Sequence, residues 1–143
     1  MMTGASGAIS RKDIKRQEAH ANLYYEEIRK RSSDIVTIAG NSGFSVDDIK
    51  NIKGHLFFNR YDLGELELSR FDPSYDIAIS WQRLIDGDSI REMDIVLLRH
   101  ELMECNLMHE RGLDYRTAHD MAELKYNYKK YVDELDRKDG LHE

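Results

Sequence analysis

Cysteine, proline, long apolar runs and positive charge are what this sequence has least of. One cysteine, Cys105, stands among 143 residues. That excludes an intrachain disulfide and a thiolate-based zinc site, and leaves Cys105 the part of a small core hydrophobe. One proline, Pro73, interrupts the chain, and long stretches without turn residues lean helical. No apolar run approaches the ~20 residues a membrane span needs, and no charged-then-apolar segment opens the chain. Neither a membrane span nor a signal peptide is therefore expected. The net charge is −6, whereas a stable nucleic-acid binder carries a basic face. The local basic run at Arg11, Lys12, Lys15 and Arg16, and again at Arg29, Lys30 and Arg31, reads as a solvated helix flank. P-loops, Rossmann glycine patterns and Gly-x-Ser-x-Gly elbows do not occur.

What is present is a mainly α pattern, read as one compact bundle of about five or six helices. Residues 1–11 are small and Gly-rich and read as a flexible leader or linker remnant, residues 12–138 as a single helical domain, and residues 139–143 as a frayed tail. Apolar residues at helical spacing predict a first helix from Lys12 to Arg31. A short helix from Asp34 to Ala39 should break at Gly40 to Gly43. Ser45 caps a third helix, with Asp48 as a capping-box partner. Residues 59–70 mix periods and predict an irregular segment or short hairpin. Asp72-Pro73 predicts a helix start with an N-cap carboxylate and proline at the first position. A long helix from Met93 ends at Gly112. Asp114 then opens a final helix of ~20 residues, with Met121, Leu124, Tyr128, Tyr131, Val132 and Leu135 facing the core.

The strongest local motif is His100-Glu101-Leu102-Met103-Glu104. Two ligands four apart share a helix face, as in the His-Glu-x-x-His zinc signature, and Glu104 here takes the second histidine's place. At ~100° per residue His100 and Glu104 fall on an apolar stripe, where each needs a partner. His119 and Glu123 repeat the spacing on the final helix, which the short connection at Gly112 makes an antiparallel neighbour. Two schemes fit. In one, His100, Glu104, His119 and Glu123 hold a divalent metal such as zinc, with Glu101 as the base for water. In the other, the same residues form a metal-free hydrogen-bond network between helices. His109 points away from His100 and fits either less well. A second cluster, His55, Asn59, Arg60, Tyr61 and Asp62, has the residue types of metal-free ribonucleases, with His55 as acid/base and Arg60 as the cation. Its plain alternative is capping and surface contact. Ala39, Gly43 and Ile49 have helix-turn-helix spacing, but Asp47 and Asp48 would face phosphates, so a plain helical hairpin is expected.

Several blocks carry a resemblance across nearly the whole chain. They include Tyr24-Tyr25-Glu26-Glu27-Ile28-Arg29, Ile38-Ala39-Gly40-Asn41-Ser42-Gly43-Phe44-Ser45 and Arg70-Phe71-Asp72-Pro73. Ser80-Trp81-Gln82-Arg83-Leu84-Ile85-Asp86-Gly87, His100-Glu101-Leu102 and Lys125-Tyr126-Asn127-Tyr128 follow in order. The pattern resembles a C-terminal module of phage head-morphogenesis proteins of the MuF type and of polymorphic toxins of Gram-positive bacteria. The resemblance implies a toxin-like effector, often a nuclease or other hydrolase, in the bacterial cytoplasm or the phage particle. It implies an immunity protein or a phage structural protein as partner and nucleic acid as a transient substrate. It assigns no catalytic residue. The other functional class is a non-catalytic helical module that docks a capsid, carrier or immunity partner.

Overall fold

The computed structural model describes residues 9–138, and the expected leader up to residue 8 and the tail from 139 lie outside them. The class is α, but the described residues form seven α-helices rather than five or six. They are α1 (Ile14–Lys30), α2 (Asp34–Ser42), α3 (Val46–Lys53), α4 (Tyr75–Asp86), α5 (Glu92–Arg111), α6 (Tyr115–Lys125) and α7 (Lys129–Lys138). The extra helix comes from the C-terminal segment. The expected single helix after Asp114 breaks at Tyr126, whose φ of −129° and ψ of 89° leave the helical region. Asn127 then accepts the Lys130 backbone N–H and starts α7 afresh. Leu124, expected in the core, is 91% exposed. Ala118 and Ala122 are the buried residues of α6 instead, so the core-facing side is the one that carries His119 and Glu123 at its edge.

Other boundaries follow local chemistry. Ser45 accepts the Asp48 N–H and caps α3 as expected. The Asp72-Pro73 start does not form: the Ser74 hydroxyl accepts the Ile77 N–H and α4 begins at Tyr75. A hydroxyl one residue before the helix satisfies an orphan donor of the first turn in the way Asp72 would have done two residues earlier. Gly43, Gly87 and Gly112 end α2, α4 and α5 with positive φ. Gly87 has a second constraint, because a Cβ there would lie 2.7 Å from the Asn41 amide nitrogen. That amide donates to the Leu84 and Ile85 carbonyls, so a side chain of α2 caps the C-terminus of α4.

α2 and α3 form the expected hairpin about Gly43. The core lies between α1, α2, α3, α4 and α5, with Tyr25, Phe57 and Trp81 in edge-to-face contact at 4.6 and 5.2 Å. Two buried polar knots set the helix registers. The Asp34 carboxylate accepts from Lys53 Nζ at 2.8 Å and from Trp81 Nε1 at 3.1 Å, joining α2, α3 and α4. The Arg83 guanidinium grips Asp94 with two bonds of 2.8 and 2.7 Å, joining α4 to α5. Between α3 and α4, the irregular segment closes on a single antiparallel bridge between Tyr61 and Ser69. No helix among the described residues is long and apolar enough to cross a membrane. Cys105 is buried, as expected.

Candidate functional site

Five titratable side chains from three elements converge beneath one cavity. α5 supplies His100, Glu101 and Glu104, all buried. α6 supplies His119. The third contributor is His55, which belongs to a π turn, Gly54–Phe58, that continues α3. The Asn59 N–H bonds back to the Gly54 carbonyl, five residues earlier. Within that turn three successive side chains, His55, Leu56 and Phe57, are buried. π turns of this kind recur at functional sites.

Glu104 is the hub. One carboxylate oxygen accepts from His55 Nε2 at 2.7 Å. The other lies 2.9 Å from His119 Nδ1 and 3.3 Å from His100 Nε2. The His100 and His119 rings meet edge to face, 5.1 Å between centroids. His100 Nδ1 is 2.9 Å from the Tyr126 carbonyl. Donation to that carbonyl fixes the tautomer and leaves Nε2 facing the cluster. The break between α6 and α7 is what presents this carbonyl. Glu101 lies 3.5 Å from His55 Nε2 and 3.8 Å from His100 Nε2. Glu123 stands further out, 3.7 Å from the second nitrogen of His119.

A hydrogen-bonded chain leads from this cluster to the surface. His55 Nδ1 is 2.7 Å from the Tyr61 hydroxyl, which also meets Asn59 Nδ2 at 3.0 Å and His109 Nε2 at 3.2 Å. The sequence's two clusters are therefore one. His55, Asn59 and Tyr61 join the His/Glu group, and His109 reaches it through Tyr61. Arg60 is exposed and does not line the cavity. Asp62 only turns the loop, accepting the Gly64 N–H.

Charge settles unevenly in the cluster. Burial opposes the His55 imidazolium, but Cys105, Glu104 and Glu101 outweigh it and push its pKa up to about 11. Burial likewise opposes charge on His100, and the Glu104 bond with the Glu101 charge raises it to about 9. The bond to Glu104 raises His119. Burial works against the Glu104 carboxylate too, yet the three histidine bonds hold its pKa below the usual carboxylate range. Burial and the neighbouring Glu104 charge push Glu101 well above that range.

The cavity above measures about 430 Å³ and is walled by α1, α4, α5, α6, α7 and residues 71–74. Phe71, Tyr115 and Tyr128 give it an aromatic lining, while His100, Glu101, Glu104, His119 and Glu123 form its polar floor. The donor atoms of His100, Glu104 and His119 lie within 4.8 Å of one another, and so do those of His55, Glu101 and Glu104. These groups could hold a metal ion. Direct contact between His55 and Glu104, and the Tyr126 carbonyl, escaped sequence reasoning. Neither has a local signal, since one depends on the π turn and the other on a helix break. No family model, curated protein or solved structure matches this chain.

Proposed function

We propose that the protein is a metal-assisted hydrolase, acting as a toxin-like effector of phage or mobile-element origin. The observation that carries the chemistry is the convergence of His100 Nε2, Glu104 and His119 Nδ1 at one point under an open cavity, with Glu101 beside them. Two imidazoles and one carboxylate with an open position are the donor set of catalytic zinc. The surroundings suit it. His100 is oriented from behind by the Tyr126 carbonyl, and Glu104 by His55, as outer partners orient metal ligands. A bound divalent ion supplies Lewis acidity and lowers the pKa of a water molecule. Glu101 is placed to take that water's proton, and the aromatic walls position substrate and exclude bulk solvent. The effector role rests on the sequence resemblance alone.

The test combines elemental analysis of purified protein with growth inhibition on expression in a bacterium. Bound zinc that is lost in His100→Ala, and toxicity that is lost in both His100→Ala and Glu101→Gln while the latter keeps its metal, are the expected results. A wild type that takes up no zinc, manganese or nickel and is harmless would refute the proposal.

A second reading has its own observation: both oxygens of Glu104 are already bonded to histidines. A satisfied network of that kind can simply lock α3, α5 and α6 together in a non-catalytic module that docks a capsid, carrier or immunity protein. Chelator-insensitive stability of the protein as purified would favour it.

A further inference from the structure

Each of the two inner carboxylates divides its oxygens between two groups of histidines. Oε1 of Glu104 lies 2.7 Å from His55 Nε2, and Oε2 lies 2.9 Å from His119 Nδ1 and 3.3 Å from His100 Nε2. Glu101 divides in the same sense. Its Oε1 is 3.5 Å from His55 Nε2 and its Oε2 is 3.8 Å from His100 Nε2. The helix explains the pattern. Glu101 and Glu104 are three apart on α5, so they are neighbours on one face, with His55 to one side and His100 and His119 to the other. Two donor sets result, His100–Glu104–His119 and His55–Glu101–Glu104, and the donor atoms of each lie within 4.8 Å of one another. A tetrahedral ion with bonds of ~2.1 Å keeps its donors ~3.4 Å apart, within the span of 2.7 to 3.8 Å set by these contacts.

The outer nitrogens of the rings are engaged as those of metal-bound imidazoles are. His100 Nδ1 meets the Tyr126 carbonyl. His55 Nδ1 meets the Tyr61 hydroxyl, which also takes the Asn59 amide N–H and stands 3.2 Å from His109 Nε2. A hydroxyl has one proton and two lone pairs. By donating its proton to His109, Tyr61 can accept from both Asn59 and His55 Nδ1. The lone pair of His55 Nε2 then faces Oε1 of both carboxylates, and three electron-rich atoms so placed need a cation between them.

We infer that the cluster holds a pair of divalent ions, one on His100, Glu104 and His119 and a second on His55, Glu101 and Glu104, with Glu104 bridging them. The inference rests on the metal site proposed above and adds the second ion to it. Paired ions of hydrolytic centres lie ~3.5–4 Å apart, a separation that the two oxygens of one carboxylate can span. His55, the outer partner of Glu104 when one ion is held, becomes a ligand when two are. The second set is closed, with His55, Glu101 and Glu104 only 0%, 7% and 2% exposed. The first opens to the cavity through His119, so substrate meets the first ion. Glu101 keeps both tasks: Oε1 serves the second ion, while Oε2 stays on the His100 side for the proton of water.

The experiment loads the metal-free full chain with zinc, removes loosely held ion by gel filtration and counts zinc per chain by elemental analysis. A parallel sample is loaded with manganese(II), which suits the more oxygen-rich second set, and its electron paramagnetic resonance spectrum is recorded. Wild type is expected to hold two zinc ions per chain and to give the exchange-coupled manganese spectrum of a bridged pair. His55→Gln and Glu101→Gln each remove a ligand of the second ion and are expected to hold one zinc, with the manganese spectrum of an isolated ion. Glu101→Gln is nearly isosteric and serves should His55→Gln fold poorly. One zinc per wild-type chain, or no coupled manganese spectrum, overturns the second site and leaves the single-ion reading standing. Two zinc ions retained in the variants overturn it as well. A wild type that holds no metal at all removes both proposals together.

Discussion

Replacing Glu104 by glutamine tests the hub of the cluster with almost no change of shape. Glu104 is 2% exposed and takes bonds from His55, His100 and His119. An amide offers one acceptor oxygen instead of two, and its NH₂ faces the ring nitrogens as a second donor. The histidines, whose pKa values this carboxylate helps to raise, then keep burial with only the longer contacts to Glu101 and Glu123 as counter-charge. Removing one partner of a buried ion pair costs about 3–5 kcal/mol. At ~2.1 cal/mol/K per residue, unfolding of a chain this long has an entropy of roughly 0.3 kcal/mol/K, so ~1 kcal/mol moves Tm by ~3 °C. Glu104→Gln should melt about 10–15 °C below wild type in chelator at neutral pH. Calorimetry with added zinc separates the two readings of the cluster. A wild type with zinc at ~100 times its Kd gains about 2.7 kcal/mol, and the variant gains nothing. A variant as stable as wild type in chelator would refute the buried ionic hub, and a wild type indifferent to zinc would refute the metal site.

Three further outcomes follow from the structure. In metal-free protein, His55 and His100 have folded pKa values of about 11 and 9 against 6.5 ordinarily. Their stabilisation is complete below 6.5 and fades as pH rises through those values, so urea midpoints should fall steadily from pH 6.5 to 9. On the acid side, His20 Nδ1 is buried without a hydrogen-bond partner, and burial lowers the pKa of the ring. Stability linked to His20 is full above 6.5 and lost below it. His20→Phe, keeping the contacts with Tyr24 and Tyr75, should therefore gain about 1 kcal/mol and show less loss near pH 5. Asp34→Ala should cost about 3–5 kcal/mol by chemical denaturation, because it strands buried Lys53.

Helix existence was legible where an apolar stripe met either a cap or a glycine stop, as for α3 at Ser45 and α5 at Gly112. The His100, Glu104 and His119 grouping was legible too, because four-residue spacing and a short turn at Gly112 leave few ways to arrange two helices. Asp72-Pro73 misled because Ser74 offers an equivalent cap two residues later. The twenty-residue final helix misled because Met121, Leu124, Tyr128 and Val132 keep helical spacing across a break that tertiary bonding imposes. Tyr126 leaves the helix, and its carbonyl meets His100, a residue distant in sequence. His55 was placed in a separate cluster for a similar reason, since its approach to Glu104 depends on a turn one residue wider than the pattern allows for. Nor did any spacing mark Asp34 as the buried partner of Lys53 and Trp81.

α7 has no fully buried residue, yet Lys129 and Val132 from it, with Tyr128 just before it, wall the cavity. Its attachments are mostly polar: Tyr128 to Ser80 and the Asp76 carbonyl, Tyr131 to Glu92, and Arg11 to Asp136. Polar attachments contribute less net free energy than apolar burial of equal extent, and segments so held open well below the global unfolding free energy. Access to the His/Glu floor is thus tied to the one described helix that buries no residue, whereas α5 beneath it buries nine. Amides of residues 129–138 should exchange with solvent far sooner than those of α5, and a molecule bound in the cavity should slow them first.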